Sequence, residues 1–172
     1  MENVILVDEF DNALGEMEKM EAHRKGKLHR AFSIFIFNDK NELLLQQRAM
    51  GKYHSGGLWS NTCCSHPRVN EHIIAAGNRR LMEEMGIKSE LQKQFSFIYR
   101  AKLDNELTEY ELDHVLFGQY NGLGKFNKEE VMDVRYANLD EIEQELMEQP
   151  EIYTAWFKLI FDRTKSLISR RK

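Results

Sequence analysis

Residues 60 to 86 concentrate the side chains that could do chemistry. This stretch holds two adjacent cysteines, a histidine before a proline, and a helical segment rich in arginine and glutamate. Cys64 and His66 are two residues apart, and Pro67 favours an extended conformation at His66, so both side chains leave the same face of the chain. A thiol and an imidazole are therefore expected to share one site.

The helical part of the stretch carries two pairs of opposite charge. Arg79 lies four residues before Glu83, and Arg80 four before Glu84, so each pair shares a helix face. Two exposed ion pairs beside a small buried thiol would give the same pattern, because such pairs are common and weak. This stretch alone leaves both interpretations open.

Cys63 and Cys64 are the only cysteines in the chain. Adjacent cysteines close a disulfide only with backbone strain, so a structural bridge is not expected. Their side chains point in opposite directions in an extended segment, which predicts that Cys64 faces the site and Cys63 packs in the core.

Acidic residues interrupt a predicted strand over residues 108–120, where Glu109, Glu111 and Asp113 share one face. A solvated strand face is one interpretation of them. Combined with histidines, the glutamates give a set of nitrogen and oxygen ligands suited to Zn, Mn or Fe, whereas Mg favours oxygen ligands alone. The candidate ligands are then His23, His29, His66, Glu109 and Glu111. Ordinary polar roles are expected for the other histidines, His54, His72 and His114.

Four basic residues border these elements within an acidic protein, namely Lys19, Arg48, Lys52 and Arg80. With Glu84 as a hard oxygen ligand, they could hold a Mg²⁺-bound diphosphate. Solvated surface charge is the alternative interpretation.

The whole chain has the composition of a soluble globular protein, with 42% hydrophobic and 30% charged residues among 172. That length predicts a single domain over residues 1–172. The net charge of −4 predicts no general affinity for nucleic acid or anionic membranes. No apolar run is long enough to span a membrane, and the N-terminus lacks the pattern of a secretion signal. We therefore expect a cytoplasmic protein.

Hydrophobic patterning predicts the surrounding elements. Strands are expected at residues 4–7, 29–37, 43–48, 95–101, 108–120 and 134–137, with a hairpin formed by residues 29–48. Helices are expected at residues 71–85, from Asn138 or Asp140 to Met147, and from Pro150 along an aromatic stripe. Residues 50–58 form an irregular glycine-rich loop, and the basic tail at 170–172 is solvated.

Taken together, several segments resemble the type 1 isopentenyl-diphosphate delta-isomerases of the Nudix superfamily. These segments are His23 with His29-Arg-Ala-Phe-Ser, Leu43-Leu-Leu-Gln-Gln-Arg48, Asn61-Thr-Cys-Cys-Ser-His-Pro67, Arg79-Arg-Leu-Met-Glu-Glu-Met-Gly86 and Glu109-Tyr-Glu111. Against the general Nudix motif, Ser65 replaces the first glycine and Arg80 replaces a glutamate. The second change exchanges a metal-binding carboxylate for a phosphate-binding cation, which argues against a hydrolase.

The resemblance implies an α/β (α+β) fold, a Nudix-type α/β/α sandwich with a mixed sheet. It also implies that the protein interconverts isopentenyl and dimethylallyl diphosphate. It implies one divalent metal (Mn²⁺, Zn²⁺ or Mg²⁺) on His23, His29, His66, Glu109 and Glu111, and Mg²⁺ on Glu84. It also implies diphosphate contacts from Lys19, Arg48, Lys52 and Arg80, and an aromatic face over the substrate from Trp156.

The same resemblance makes Cys64 and Glu111 the acid-base pair, assisted by Tyr99. In it, Glu111 is the more suitable group for protonating the double bond and Cys64 for removing the other proton. A monomer or weak homo-oligomer is expected. The competing hypotheses are a Nudix hydrolase of a nucleoside diphosphate derivative and a non-catalytic Nudix module that binds a metal or ligand.

Overall fold

The computed structural model describes residues 2–169, so the basic tail at 170–172 lies outside the described residues. Its mixed sheet contains nine strands within that range: Asn3–Val7 (β1), Ala13–Glu18 (β2), His29–Phe37 (β3), Leu43–Arg48 (β4), Trp59–Ser60 (β5), Cys63–Ser65 (β6), Gln92–Lys102 (β7), Thr108–Gln119 (β8) and Val131–Ala137 (β9). The α-helices in the same range are Lys19–Lys25 (α1), Ile73–Met85 (α2), Leu139–Glu148 (α3) and Ala155–Ser169 (α4).

Strand β3 is the centre of the sheet. It runs parallel to β8 along its whole length and antiparallel to β6 and β1. Strand β7 extends the sheet beyond β8, β2 extends it beyond β1, and β4 pairs with β9 and β5. Parallel and antiparallel pairing in one sheet confirms the predicted mixed sheet.

Side chains that alternate along β3 build two hydrophobic layers, because successive residues of a strand face opposite sides. On one side Phe32, Ile34 and Ile36 pack with residues of α2 that include Ala76, Leu81 and Met85. On the other side Phe35 and Phe37 pack with residues of α4 that include Trp156, Phe157 and Phe161. Helices therefore cover both faces, and the predicted sandwich is confirmed.

The predicted hairpin of residues 29–48 is wrong beyond its turn. Strands β3 and β4 pair only at Phe37 and Leu43. The segment before β6 lies between them, where the Thr62 hydroxyl accepts a hydrogen bond from the Ile36 N–H (2.9 Å) and donates one to the Leu44 carbonyl (2.6 Å). The two strands are therefore bridged by a third segment, which a pattern of local alternation does not reveal.

Several element boundaries also differ from expectation. The polar segment containing Lys19 and His23 is a helix, α1, which the Glu18 carboxylate caps. Helix α2 begins after its N-cap His72, and Pro150 begins a short 3₁₀-helix, so α4 starts only at Ala155. No helix within residues 2–169 is long and apolar enough to cross a membrane.

The aromatic layer under α4 yields a stability prediction. Phe157 is fully buried and stacks on Tyr153, with ring centroids 5.2 Å apart. Phe157→Ala should lower the free energy of unfolding by about 3–5 kcal/mol because it leaves a cavity in the core. Leu159→Ala, at a position 51% exposed on the same helix, should change it by about 0.5 kcal/mol or less. Urea unfolding of both variants checks this, and equal losses would contradict the assigned packing.

Candidate active site

Three neighbouring strands bring the predicted metal ligands together at one end of the sheet. The parallel register of β3 and β8 places His29 opposite Glu111. On the other side of β3, β6 runs antiparallel and ends at Ser65, opposite Phe32, so the next residue, His66, lies toward the end of β3 where His29 lies. Helix α1 supplies His23, which is fully buried. Residues far apart in the chain thus converge in the interior.

The contacts among these side chains are short. The Nε2 atoms of His29 and His66 lie 3.2 Å apart. Glu111 Oε1 is 3.0 Å from His66 Nε2 and 3.4 Å from His29 Nε2. One carboxylate oxygen and two imidazole nitrogens therefore form a compact triangle.

Backbone carbonyls fix the tautomers of two of the histidines. His23 Nδ1 is 2.7 Å from the Lys19 carbonyl and His29 Nδ1 is 2.8 Å from the Lys27 carbonyl. A carbonyl only accepts, so each Nδ1 carries a proton and each Nε2 presents its lone pair. Such lone pairs beside a carboxylate repel unless a proton or a cation lies between them.

The donor set fits a divalent cation. His23, His29, His66 and Glu111 each offer one atom, all within 4.8 Å of one another. His23 Nε2 is buried and has no hydrogen-bond partner within residues 2–169. Burial lowers the pKa of His23, and it lowers the pKa of His66 to about 4, so both imidazoles are neutral at pH 7, as metal ligands must be. Imidazole with carboxylate suits Zn²⁺, Mn²⁺ or Fe²⁺.

Glu109 belongs to a second, overlapping group. It lies with His23 and His54, whose candidate ligand atoms also fall within 4.8 Å of one another. Burial and the neighbouring Glu111 raise the pKa of Glu109. Burial alone would raise the pKa of Glu111 too, but the adjacent imidazoles of His29 and His66 hold it well below its ordinary value.

Tyr99 joins the two glutamates. Its hydroxyl donates to Glu111 Oε2 at 2.6 Å, and Glu109 Oε2 lies 3.0 Å away. Burial raises the pKa of Tyr99 well above its ordinary value, and the nearby Glu109 raises it further. Tyr99 therefore remains a hydrogen-bond donor to the carboxylate pair.

Cys64 lies on the α4 side of the sheet and Cys63 on the α2 side, so their predicted opposite orientation is confirmed. The Trp156 Nε1–H donates to Cys64 Sγ at 3.2 Å, and the thiol donates to Asn61 Oδ1 at 3.1 Å. Burial, together with the Asp113 carboxylate, raises the pKa of Cys64 to about 12. The thiol is protonated at pH 7.

One cavity is lined by the four predicted diphosphate-binding cations and by the predicted acid-base groups. Its walls include Lys19, Arg48, Lys52, Arg80, Glu84, Cys64, His66, Tyr99, Glu109, Glu111 and Trp156. His23 and His29 join it through His66 and Glu111. The structure therefore brings all the predicted site residues into one region.

Carboxylates hold three of these cations in place. Lys19 pairs with Glu2 at 3.4 Å, and Lys52 pairs with Glu130. Arg80 Nη2 lies 2.6 Å from Glu84 Oε1 and 3.4 Å from Glu130 Oε1. Burial would lower the pKa of Arg80, but Glu84 keeps it above its ordinary value.

Glu84 also accepts a hydrogen bond from Gln46 Nε2 at 3.3 Å. It belongs to neither of the two groups of metal donors found among the described residues. A Mg²⁺ ion at Glu84 would therefore need further oxygen ligands from water or from a bound anion.

Sequence reasoning missed two residues of this region. His54 was interpreted as an ordinary polar residue, but it lines the cavity and is 4% exposed. Glu130 links Lys52 and Arg80 although its position before β9 carries no recognisable motif. The other two histidines lie outside the site as expected, because His72 is the exposed N-cap of α2 and His114 pairs with Asp11 at 3.1 Å.

Comparisons with known proteins place this fold in one class. The NUDIX domain family model matches residues 27–157. A Deinococcus radiodurans crystal structure superposes with a TM-score of 0.80 at 16% identity, covering 94% of this chain and 98% of that one. A MutT protein from Methanosarcina mazei superposes with a TM-score of 0.65 at 19% identity, over 81% of this chain and 94% of that one. These likenesses confirm the Nudix fold.

Sequence comparison is more specific. An isopentenyl-diphosphate delta-isomerase from Pectobacterium atrosepticum is 54% identical over 160 residues, which are 93% of this chain and 89% of the relative. Isopentenyl-diphosphate delta-isomerase 2 from Aromatoleum aromaticum is 52% identical over 165 residues, 96% of this chain and 87% of the relative. The chain therefore belongs to the isopentenyl-diphosphate delta-isomerase family within the Nudix superfamily.

The buried donor cluster predicts stabilisation by metal. Adding Mn²⁺ or Zn²⁺ to chelator-treated protein should raise its melting temperature, by an amount equivalent to about 2.7 kcal/mol at a concentration of about 100 Kd. His66→Ala should abolish this shift because it removes a donor from the centre of the cluster, whereas His72→Ala should retain it. Differential scanning fluorimetry measures the shift, and a full shift in His66→Ala would exclude His66 as a ligand.

Proposed function

We propose that this chain interconverts isopentenyl diphosphate and dimethylallyl diphosphate by adding a proton to one carbon and removing a proton from another. The observation that carries the proposal is the single cavity whose walls include a thiol, carboxylates, an indole and four cations. Two acid-base groups suffice for such a rearrangement, without a redox cofactor. Membership of the isomerase family supports the same reaction.

Cys64 and Glu111 are the proposed acid-base pair. Protonating the terminal methylene carbon of isopentenyl diphosphate leaves a tertiary carbocation, and loss of a proton from the neighbouring methylene carbon forms the new double bond. Burial keeps the proton on the Cys64 thiol of the free protein. That Glu111 donates the proton to the double bond and Cys64 accepts the other proton stays a prediction. In the opposite reaction the two groups exchange roles.

Arg80, Lys52, Lys19 and Arg48 are the proposed diphosphate contacts. Phosphate oxygens would replace Glu130 as the partner of Lys52, and would replace Glu130 and Glu84 as the partners of Arg80. Before substrate binds, these carboxylates hold Arg80 in a fixed orientation, which prepares its guanidinium for bidentate contact with phosphate. Mg²⁺ bound at Glu84 would neutralise part of the diphosphate charge.

Trp156 is proposed to cover the hydrocarbon end of the substrate. The Arg48 guanidinium already lies 5.2 Å from the centre of its ring, so this indole accommodates a cation. The residue is 3% exposed, and a carbocation held beside it would be shielded from water. Tyr99 would orient the Glu111 carboxylate through its 2.6 Å hydrogen bond.

A divalent cation at the cluster of histidines and glutamates would neutralise the buried carboxylates and fix their positions. The residues proposed to hold it are His23, His29, His66, Glu109 and Glu111. The choice among Mn²⁺, Zn²⁺ and Mg²⁺, the single domain over residues 1–172, the cytoplasmic location and the monomeric or weakly oligomeric state stay predictions.

Isotope exchange tests the reaction. Incubating the protein with Mg²⁺ and isopentenyl diphosphate in deuterated water should yield dimethylallyl diphosphate with deuterium in a methyl group, followed by NMR. No inorganic phosphate should be released. Phosphate or pyrophosphate release without deuterium uptake would instead identify a hydrolase, and tight ligand binding with neither product would identify a non-catalytic module.

The two cysteines offer a matched pair of variants for the acid-base assignment. Cys64→Ala should keep the fold and the affinity for the diphosphate but lose turnover by several orders of magnitude, because it removes one proton-transfer group. Cys63→Ala should stay active within about tenfold, roughly 1.4 kcal/mol in the barrier, because Cys63 only packs in the core. Steady-state kinetics measures both, and the opposite ranking would refute the assignment.

A further inference from the structure

His54 is fixed inside the cavity by its own loop. Residues 49–58 connect β4 to β5, and the Arg48 guanidinium donates to the His54 carbonyl at 3.1 Å. The next residue, Ser55, has a positive φ of 52°, a conformation that L-residues adopt uncommonly. The loop thus turns inward at His54, whose imidazole is 4% exposed.

The imidazole of His54 lies between Trp156 and His23, a residue of the cluster of candidate metal ligands. Its ring is edge-on to Trp156, with centroids 5.6 Å apart, and nearly parallel to the ring of His23 at 6.2 Å. Its Nδ1 is 3.2 Å from the Ser55 hydroxyl, which leaves Nε2 directed toward Glu109.

The distance from His54 Nε2 to Glu109 Oε1 is 3.6 Å. A hydrogen bond is shorter than this, so a direct donor–acceptor contact does not explain the arrangement. Ligand atoms at about 2.1 Å from a shared ion lie about 3.0 to 3.6 Å apart when their bonds enclose angles of about 90 to 120 degrees. The observed spacing therefore matches two ligands of one ion.

His23 supplies the third donor of this group. Its Nε2 is buried without a hydrogen-bond partner among the described residues, and its distances to the candidate atoms of His54 and Glu109 are within 4.8 Å. Because its Nδ1 is bonded to the Lys19 carbonyl, His23 has only one nitrogen to offer.

We propose that His54 is an additional ligand of the divalent metal centre and forms, with His23 and Glu109, a subsite beside the one formed by His29, His66 and Glu111. The two subsites share the single free nitrogen of His23, which binds one ion, so a single ion would draw both groups of donors toward it. An added imidazole favours a transition-metal ion such as Zn²⁺, Mn²⁺ or Co²⁺ over Mg²⁺. This inference rests on the proposed metal centre.

Cobalt binding to the purified, chelator-treated full-length chain tests the proposal, because Co²⁺ reports its ligands through visible absorption. His54→Ala and His54→Gln should each raise the Kd for Co²⁺ about tenfold or more and change the absorption spectrum. His72→Ala, which removes an exposed histidine, should match the parent protein in both. The parent should bind one ion per chain.

The glutamine variant separates a ligand from a hydrogen-bond donor, since an amide can donate to Glu109 but binds Co²⁺ poorly. Parent-like affinity and spectrum in His54→Gln would overturn the proposal, as would two ions bound per chain in the parent. Urea unfolding of each metal-free variant establishes that it folds. Unchanged Co²⁺ binding in His66→Ala would contradict the metal centre itself, and absent deuterium exchange would contradict the isomerase function. Both results differ from parent-like Co²⁺ binding in the His54 variants, which would contradict only the role of His54.

Discussion

Buried acidic side chains on one face of β8 impose the constraint on which the rest of this structure depends. Glu109, Glu111 and Asp113 are all at most 6% exposed. Burying an ionised carboxylate is costly unless a partner compensates it. Burial, with the nearby Glu111, raises the pKa of Asp113 to about 8, so this group takes up a proton rather than adding a third charge. Imidazoles and Tyr99 lie against the other two carboxyl groups, and a divalent cation held by the same cluster would compensate them further.

Single strands of the sheet supply both site residues and core residues, from different positions along the strand. On β3, Phe35 and Phe37 build the aromatic layer under α4, and Ser33, on the same face but nearer the site, donates to Asp113 at 2.7 Å. At the strand's first residue His29 joins the cluster. The same alternation in β6 gives Cys64 to the cavity and Cys63 to the opposite core. A shift of one residue would exchange these roles, so the register of the sheet specifies the site.

Local patterns in the sequence predicted much of this arrangement. The spacing of the arginines and glutamates in α2 predicted ion pairs that the structure contains, Arg79 with Glu83 at 3.4 Å and Arg80 with Glu84 at 2.6 Å. The aromatic stripe of α4 and the opposite orientations of the two cysteines were predicted correctly for the same reason, since each depends only on the period of a helix or strand. The family resemblance then selected which polar residues to bring together.

Features that depend on distant segments were not predictable. Thr62 separates β3 from β4 through hydrogen bonds to residues 26 and 18 positions away, so the hairpin prediction failed. Glu130 reaches Lys52 from 78 positions away, and nothing in its local sequence indicates this. His54 was missed because its inward direction depends on the backbone turn at Ser55. The catalytic and metal-binding roles of the individual residues stay predictions.

Anomalous X-ray diffraction from crystals grown with Mn²⁺ would test directly whether a cation compensates the buried carboxylates. We expect one strong anomalous peak within about 2.3 Å of Nε2 of His23, His29 and His66 and of a Glu111 oxygen. A cluster that shows no peak at saturating Mn²⁺, with its nitrogens and carboxylate oxygens joined only by hydrogen bonds, would contradict this explanation of the site.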